Sequence, residues 1–193
     1  MQYRILQPDG QYLCDQQAIA DTFNKFFCNI ASETVKNIPC TNVNFMTFFP
    51  QNDYLNSMFL SPVKECDIFK IVNDLKANKS PGYDGIRIDI IKKCIAFIVS
   101  PLCTLFNESI ETGIFPNCLK IAKVVPIHKG DKKDILNNYR PISLLSTFAK
   151  IFEKCINVRL LQFLNKYDIL YARQFGFREK HSTFLAVCDF LLN

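Results

Sequence analysis

IAKVVPIHKGDKKDILNNYRPISLL, residues 121–145, reads as a β-hairpin. Residues 121–127 are rich in β-branched side chains and form one strand. Residues 129–138 are polar, contain Gly130 and make the connection, and residues 139–145 return as the second strand. Pro126 and Pro141 lie inside these strands. A proline has no N–H to give to a ladder, so the pattern predicts a small edge hairpin and not two central strands of a sheet.

This hairpin also holds the local concentration of charge. Lys120, Lys123, Lys129, Lys132, Lys133 and Arg140 outnumber Asp131 and Asp134. In a regular strand alternate residues share a face, which puts Lys123 and Lys129 on one side with Val125 and Ile127. Arg140 returns on the neighbouring strand. Two readings follow. The three cations are a grip for a polyphosphate or a nucleic-acid backbone, with Arg supplying a bidentate fork and Lys a movable point charge. Alternatively, they are a solvated decoration that keeps the edge from pairing with other chains.

Beyond the hairpin, residues 148–164 have the clearest amphipathic period. Phe148, Phe152, Cys155, Leu160 and Phe163 face inward, and Glu153, Lys154, Asn157, Gln162 and Asn165 face outward. QFGFREKHST, residues 174–183, is polar and glycine-containing, and Ser182 or Thr183 caps a last helix. This segment is either a plain helix connection or a nucleic-acid loop. Gly176 permits close backbone approach, Phe177 or Arg178 stacks on a base, and Gln174 and Arg178 offer hydrogen bonds.

Before the hairpin, residues 15–35 repeat apolar side chains at helical spacing (Ile19, Phe23, Phe26, Phe27, Ile30). Residues 37–57 read as an aromatic-containing loop or linker. A helix start follows, with Ser61 as cap, Pro62 at the first helical position and Glu65 in the first turn; it runs to Asn78. Its stripe is Val63, Cys66, Phe69 or Ile68, Val72 and Leu75. KSPGYDG, residues 79–85, is a turn and lacks the order of a phosphate loop, so Asp84 is a turn residue. Residues 86–99 are helical, Ser100-Pro101 breaks or restarts the helix, and residues 102–112 continue it with Leu102, Leu105, Phe106 and Ile110 on one side. Gly113 stops it.

Hydrophobic residues make up 49% of the 193 and charged residues 21%, which favours a packed core over whole-chain disorder. The net charge of +5 is compatible with a nucleic-acid partner without requiring one. The nine cysteines have no C-x-x-C pair, and His128 and His181 have no partners at ligand spacing, so neither a disulfide framework nor a zinc site is expected. Residues 1–10 lack the apolar core of a secretory signal, so none is expected, and no stretch approaches the ~18 unbroken apolar residues of a membrane span. The expected location is intracellular, in nucleus or cytoplasm.

KSPGYDGI (79–86), GIFPNCLKIAKVVPIHKGDKKD (113–134), NYRPISLLSTFAKIFEKCI (138–156) and QFGFREKHST (174–183) occur in an order and spacing that closely resemble the N-terminal block of reverse transcriptases from non-LTR (LINE-type, jockey-like) retrotransposons. The resemblance covers residues 61–193. A weaker one, ADTFNKFFCNIA (20–31), is similar to the segment joining endonuclease to polymerase in such elements. Leu119 stands where the family usually has Trp.

The resemblance implies an α+β fold. It is mostly helical, with the two-stranded fingers hairpin of a right-hand polymerase and an incomplete palm. Residues 1–60 become an N-terminal helix and linker, and residues 61–193 the fingers part of the polymerase domain. It implies that Lys129 and Arg140 contact the triphosphate of an incoming dNTP, with Lys123 close to nucleotide or nucleic acid. It makes Gln174, Gly176, Phe177 and Arg178 the loop that holds the template. RNA template, DNA primer or target, and dNTP are the implied partners, with no membrane.

The complete family enzyme uses Mg²⁺ held by palm aspartates, which activates the primer hydroxyl and stabilises the leaving pyrophosphate. This sequence has no Asp-Asp pair, and Asp189 falls too early to serve. No catalytic residue and no metal ligand are therefore assigned, and the chain is expected to stop before the catalytic aspartate segments, with palm and thumb missing. The expected function is a fragment of an RNA-directed DNA polymerase that binds template and nucleotide but is inactive alone. The alternative is a non-enzymatic RNA-binding or protein-interaction module derived from a retrotransposon.

Overall fold

The structure, a computed structural model, describes residues 5–6, 11–39, 43–48 and 57–192. It is mostly helical. Two short antiparallel sheets of two strands each are present among the described residues. The chain folds into two compact units that interleave along the sequence. The first comprises Met1–Leu55, Asn78–Arg87 and Asn117–Thr147, and the second Asn56–Ala77, Ile88–Pro116 and Phe148–Asn193.

The first unit contains β1 (Ile5–Leu6), β2 (Tyr12–Leu13), α1 (Gln16–Lys36), β3 (Ala122–His128) and β4 (Tyr139–Leu145). The β1–β2 pair has no counterpart in the sequence reading. Asp15 caps α1, its carboxylate accepting the Ala18 N–H at 2.8 Å. Of the anticipated apolar stripe, Ile19 and Phe23 are buried, while Ile30 is 47% exposed, because packing stops near the middle of the helix. The core of this unit is Ile5, Ile19, Phe23 and Tyr139, with Leu13, Phe27 and Leu136 packed against it. Within the anticipated linker, Phe45–Phe48 makes one 3₁₀ turn, and residues 40–42 and 49–56 lie outside the described residues.

β3 and β4 pair antiparallel over their full length, Ala122 opposite Leu145 through His128 opposite Tyr139. Pro126 faces Pro141. The Lys129 N–H donates to the Asn138 carbonyl at 2.7 Å. Bonded and non-bonded pairs alternate in an antiparallel ladder, so this bond puts the proline pair at a non-hydrogen-bonded position. Their missing N–H groups thus cost the ladder nothing. The 79–85 turn packs against the far end of β4. There the Tyr83 hydroxyl donates to the Cys118 carbonyl, the Asp84 carboxylate accepts the Ile86 N–H, and the Thr147 hydroxyl donates to the Ile86 carbonyl.

The second unit contains α2 (Glu65–Asp74), α3 (Ile88–Thr112), α4 (Thr147–Lys166) and α5 (Thr183–Leu192). Several expectations change here, among them the place of Cys66 in the α2 stripe, since it is exposed. First, α2 starts at Glu65 and ends at Asp74, not between Ser61 and Asn78. Residues 57–64 lie outside any helix, and Lys64 is extended. Arg159 donates to the Ser61 and Pro62 carbonyls at 2.7 and 2.8 Å, and Asn107 exchanges two hydrogen bonds with the Val63 backbone. The Asp67 carboxylate then accepts the Lys64 N–H at the helix start.

Second, α3 runs unbroken through Pro101. The proline lies on the exposed side, where the carbonyl it leaves unbonded remains open to water, and the buried row Ile88, Ile91, Ile95, Val99 and Phe106 passes behind it. Third, Leu160 is 38% exposed. The inward row of α4 continues from Phe152 and Cys155 to Arg159, one turn later on the same face. Phe152 stacks on Phe106 at 4.5 Å and on Phe115 at 5.2 Å between ring centroids. In α2, Ile68, Ile71 and Val72 are buried and Cys66 is exposed.

Candidate functional site

The pairing register sorts the hairpin side chains into two faces. Lys123, Val125 and Ile127 lie opposite Leu144, Ile142 and Arg140. Strand alternation puts all six on one face, and the Lys129–Asn138 ladder bond extends the same alternation to Lys129. The three candidate cations therefore share a face, and all three are exposed. The Lys129 ammonium donates to the Asn137 carbonyl at 3.2 Å, which uses one of its three N–H groups. Among the described residues, no carboxylate pairs with Lys123, Lys129 or Arg140. Three cations with no counter-charge on them among the described residues raise the local potential for an anion.

The opposite face carries Val124, Pro126 and His128 against Ser143, Pro141 and Tyr139. It turns toward α1. The Tyr139 ring meets Phe23 edge-on at 4.9 Å, and His128 lies 5.2 Å from Tyr139. His128 Nε2 is buried and has no hydrogen-bond partner among the described residues. Beside this contact a mostly apolar cavity of about 640 Å³ opens between Ile19, Phe23 and Phe27 of α1 and Val124, Pro126 and Pro141 of the strands.

The hairpin tip is folded back on itself. The Tyr139 hydroxyl donates to the Lys133 carbonyl at 2.7 Å, and the Asn138 side-chain amide to the Lys132 carbonyl at 2.8 Å. Tyr12 of β2 donates its hydroxyl to the Asp134 carboxylate at 3.2 Å. Asp131 adopts φ 68°, and Gly130 φ 129°.

The candidate template residues belong to the second unit. Phe177 is fully exposed at φ 60°, a backbone conformation that costs a non-glycine residue about 1 kcal/mol. The Arg178 guanidinium donates to the Tyr171 carbonyl at 3.2 Å, and the Gln174 amide lies 3.4 Å from the Gly176 carbonyl. The left-handed residues of this segment are Phe177 and Lys180 and not Gly176, and a side chain at Gly176 would meet nothing within 4 Å. Close backbone approach at Gly176 is thus not used among the described residues. The Ser182 hydroxyl accepts the Leu185 N–H at the start of α5, the cap anticipated from the sequence.

Arg159 is the polar residue that sequence reasoning missed. Its side chain is 10% exposed and ties Ser61, Pro62, Asp67 and Cys155 together. The signal was available: Arg159 lies four residues after Cys155 on the inward row. The Lys64 N–H bond, opposed by desolvation and helped by Arg159, holds the Asp67 carboxyl below its ordinary value. Burial pushes the Cys155 thiol up to about 11.

Among the described residues, no three His, Cys, Asp or Glu side chains gather as a metal-binding group. Asp189 is paired with Arg173 at 3.4 Å. The described residues thus offer no carboxylate set that fits a magnesium site. No helix among the described residues is long and apolar enough to cross a membrane.

No protein-family model matches the chain. Known proteins do. The protein named "Probable RNA-directed DNA polymerase from transposon BS" of Drosophila melanogaster is 34% identical over 128 residues, 66% of this chain and 14% of that protein. The "RNA-directed DNA polymerase from mobile element jockey" of the same fly is 33% identical over 137 residues, 68% of this chain and 15% of its own length. A 149 kDa protein of transposon TX1 from Xenopus laevis is 26% identical over 157 residues, 81% of this chain and 12% of that protein. The chain thus spans well under a fifth of the length of these relatives.

Proposed function

From this chain's relationship to the RNA-directed DNA polymerases of non-LTR retrotransposons, we propose that it is the fingers part of such a polymerase and that its hairpin binds the triphosphate of a dNTP. The observation that carries the reading is the shared, exposed face of Lys123, Lys129 and Arg140. Arg140 offers a planar fork, and Lys129 brings two free N–H donors held in place by the Asn137 carbonyl. Lys123, further along the same face, meets the nucleotide or the strand it pairs with.

Gln174, Gly176, Phe177 and Arg178 hold the template strand. The outward Phe177 ring supplies a stacking surface, and base–aromatic stacking is worth about 1–3 kcal/mol per base. The proposed partners are RNA template, DNA primer or target, and dNTP. The chain alone does not join nucleotides, since it has no Asp-Asp pair to hold metal.

Titration of dATP tests the grip. Each charge-assisted hydrogen bond is worth about 1.5–3 kcal/mol, so Arg140→Ala with Lys129→Ala weakens binding at least ~10-fold. Equal affinity in wild type and double variant would sink the reading. A primer-extension assay with Mg²⁺ separates binding from chemistry, and the expected result is no product.

The second reading, a non-enzymatic RNA-binding or protein-interaction module, draws on α5. Phe184, Val187, Phe190, Leu191 and Leu192 are all more than half exposed there. RNA affinity that falls steeply with salt and flattens in the double variant favours the nucleic-acid role of the hairpin.

A further inference from the structure

We infer that Tyr139, backed by Phe23 of α1, is a positioning residue for the two triphosphate ligands, which makes the N-terminal helix a working part of the nucleotide grip. The inference rests on the reading of Lys129 and Arg140 given above.

The register places Tyr139 between the two cations. Arg140 follows it in sequence, and Lys129 follows His128, the residue opposite it. Tyr139 points the other way and is 4% exposed, with its ring against Phe23, itself 4% exposed. A buried ring on the rear of a two-stranded ribbon limits how far the ribbon can twist, so it limits where the front-face cations stand.

The hydroxyl adds a second constraint. It donates to the Lys133 carbonyl and pulls the outgoing limb of the tip back onto the strand. Asn138 does the same to the Lys132 carbonyl. Within that folded tip lies the Asn137 carbonyl that orients the Lys129 ammonium. The chain of contacts therefore runs from Phe23 to the Tyr139 ring, from its hydroxyl to the tip, and from the tip to Lys129. Removing the hydroxyl loosens the tip, leaving the Asn138 bond in place and every cation present, and a ligand whose site is populated only part of the time binds more weakly by that fraction.

The test uses the 193-residue chain, titrated with dATP and with dAMP. Tyr139→Phe keeps the buried ring and removes one hydrogen bond, which weakens dATP binding about five-fold and leaves dAMP binding unchanged. Phe23→Ala gives a larger loss in the same direction, and Phe23→Leu restores most of it. The dATP-to-dAMP ratio is the decisive readout, since a residue that only supports the fold lowers stability without moving it. A lower melting temperature with an unaltered ratio in Tyr139→Phe overturns the positioning role. Wild-type binding that is lost in Arg140→Ala yet untouched in Tyr139→Phe and Phe23→Ala overturns it too, while leaving the triphosphate reading intact. If wild-type chain does not distinguish dATP from dAMP, that reading fails and this one falls with it.

Discussion

Gly82→Ala is expected to destabilise the first unit more than Gly85→Ala, although Gly85 is the glycine with the unusual backbone. A Cβ on residue 82 would lie 2.6 Å from the Leu145 carbonyl carbon and the Ser146 nitrogen, and 2.7 Å from the Leu145 oxygen. Carbon atoms in contact settle at about 3.5–4.0 Å, so the turn and the end of β4 must part by roughly 1 Å. Overpacking costs about 1–3 kcal/mol, and the upper end applies because every atom met is main chain. Alanine also restricts the unfolded chain, which returns about 0.4–1 kcal/mol. The net loss is about 2 kcal/mol.

At Gly85, by contrast, nothing lies within 4 Å and only the φ of 70° resists a side chain, at a cost of about 1 kcal/mol. Urea unfolding followed by circular dichroism gives both values. A thermal midpoint lowered by about 4–8 °C in Gly82→Ala accompanies the larger one. If Gly82→Ala proves as stable as Gly85→Ala, the close approach of the 79–85 turn to β4 is wrong.

Phe152→Ala removes a ring that is 1% exposed and stacked between Phe106 and Phe115, and should cost about 3–5 kcal/mol in urea unfolding. Asp67 has its carboxyl pKa lowered by folding, so its contribution is present above the ordinary carboxylate range and is lost as pH falls through the depressed folded value. Asp67→Asn should therefore flatten the acid side of a stability-versus-pH curve and leave no acid-dependent step at this site. The Cys155 thiol, buried and raised to about 11, should resist alkylation in the native protein, whereas exposed Cys66 and Cys94 react; mass spectrometry of labelled peptides decides. Phe177→Ala should leave stability within ~0.5 kcal/mol, because the ring touches so little, while weakening single-stranded RNA binding.

The sequence alone determined what depends on neighbours in the chain. Two short apolar runs on either side of a polar, glycine-containing connection specified β3 and β4 nearly to the residue. The same local logic placed the 79–85 turn, the Asp84 turn bond and the Ser182 cap, since each is made by groups a few residues apart. It also put Lys123 and Lys129 on one face, because strand alternation is a property of a single strand.

Only the tertiary structure decided the rest. Arg140 joins that face through the register between strands. Pro101 is tolerated inside α3 because that side of the helix faces solvent. α2 starts at Glu65, past Ser61, whose carbonyl instead takes a hydrogen bond from Arg159, 98 residues away. The Phe23–Tyr139 contact links residues more than a hundred positions apart. No periodicity records such meetings: which partner satisfies a buried ring or a backbone carbonyl is settled by competition among distant groups once the chain has collapsed.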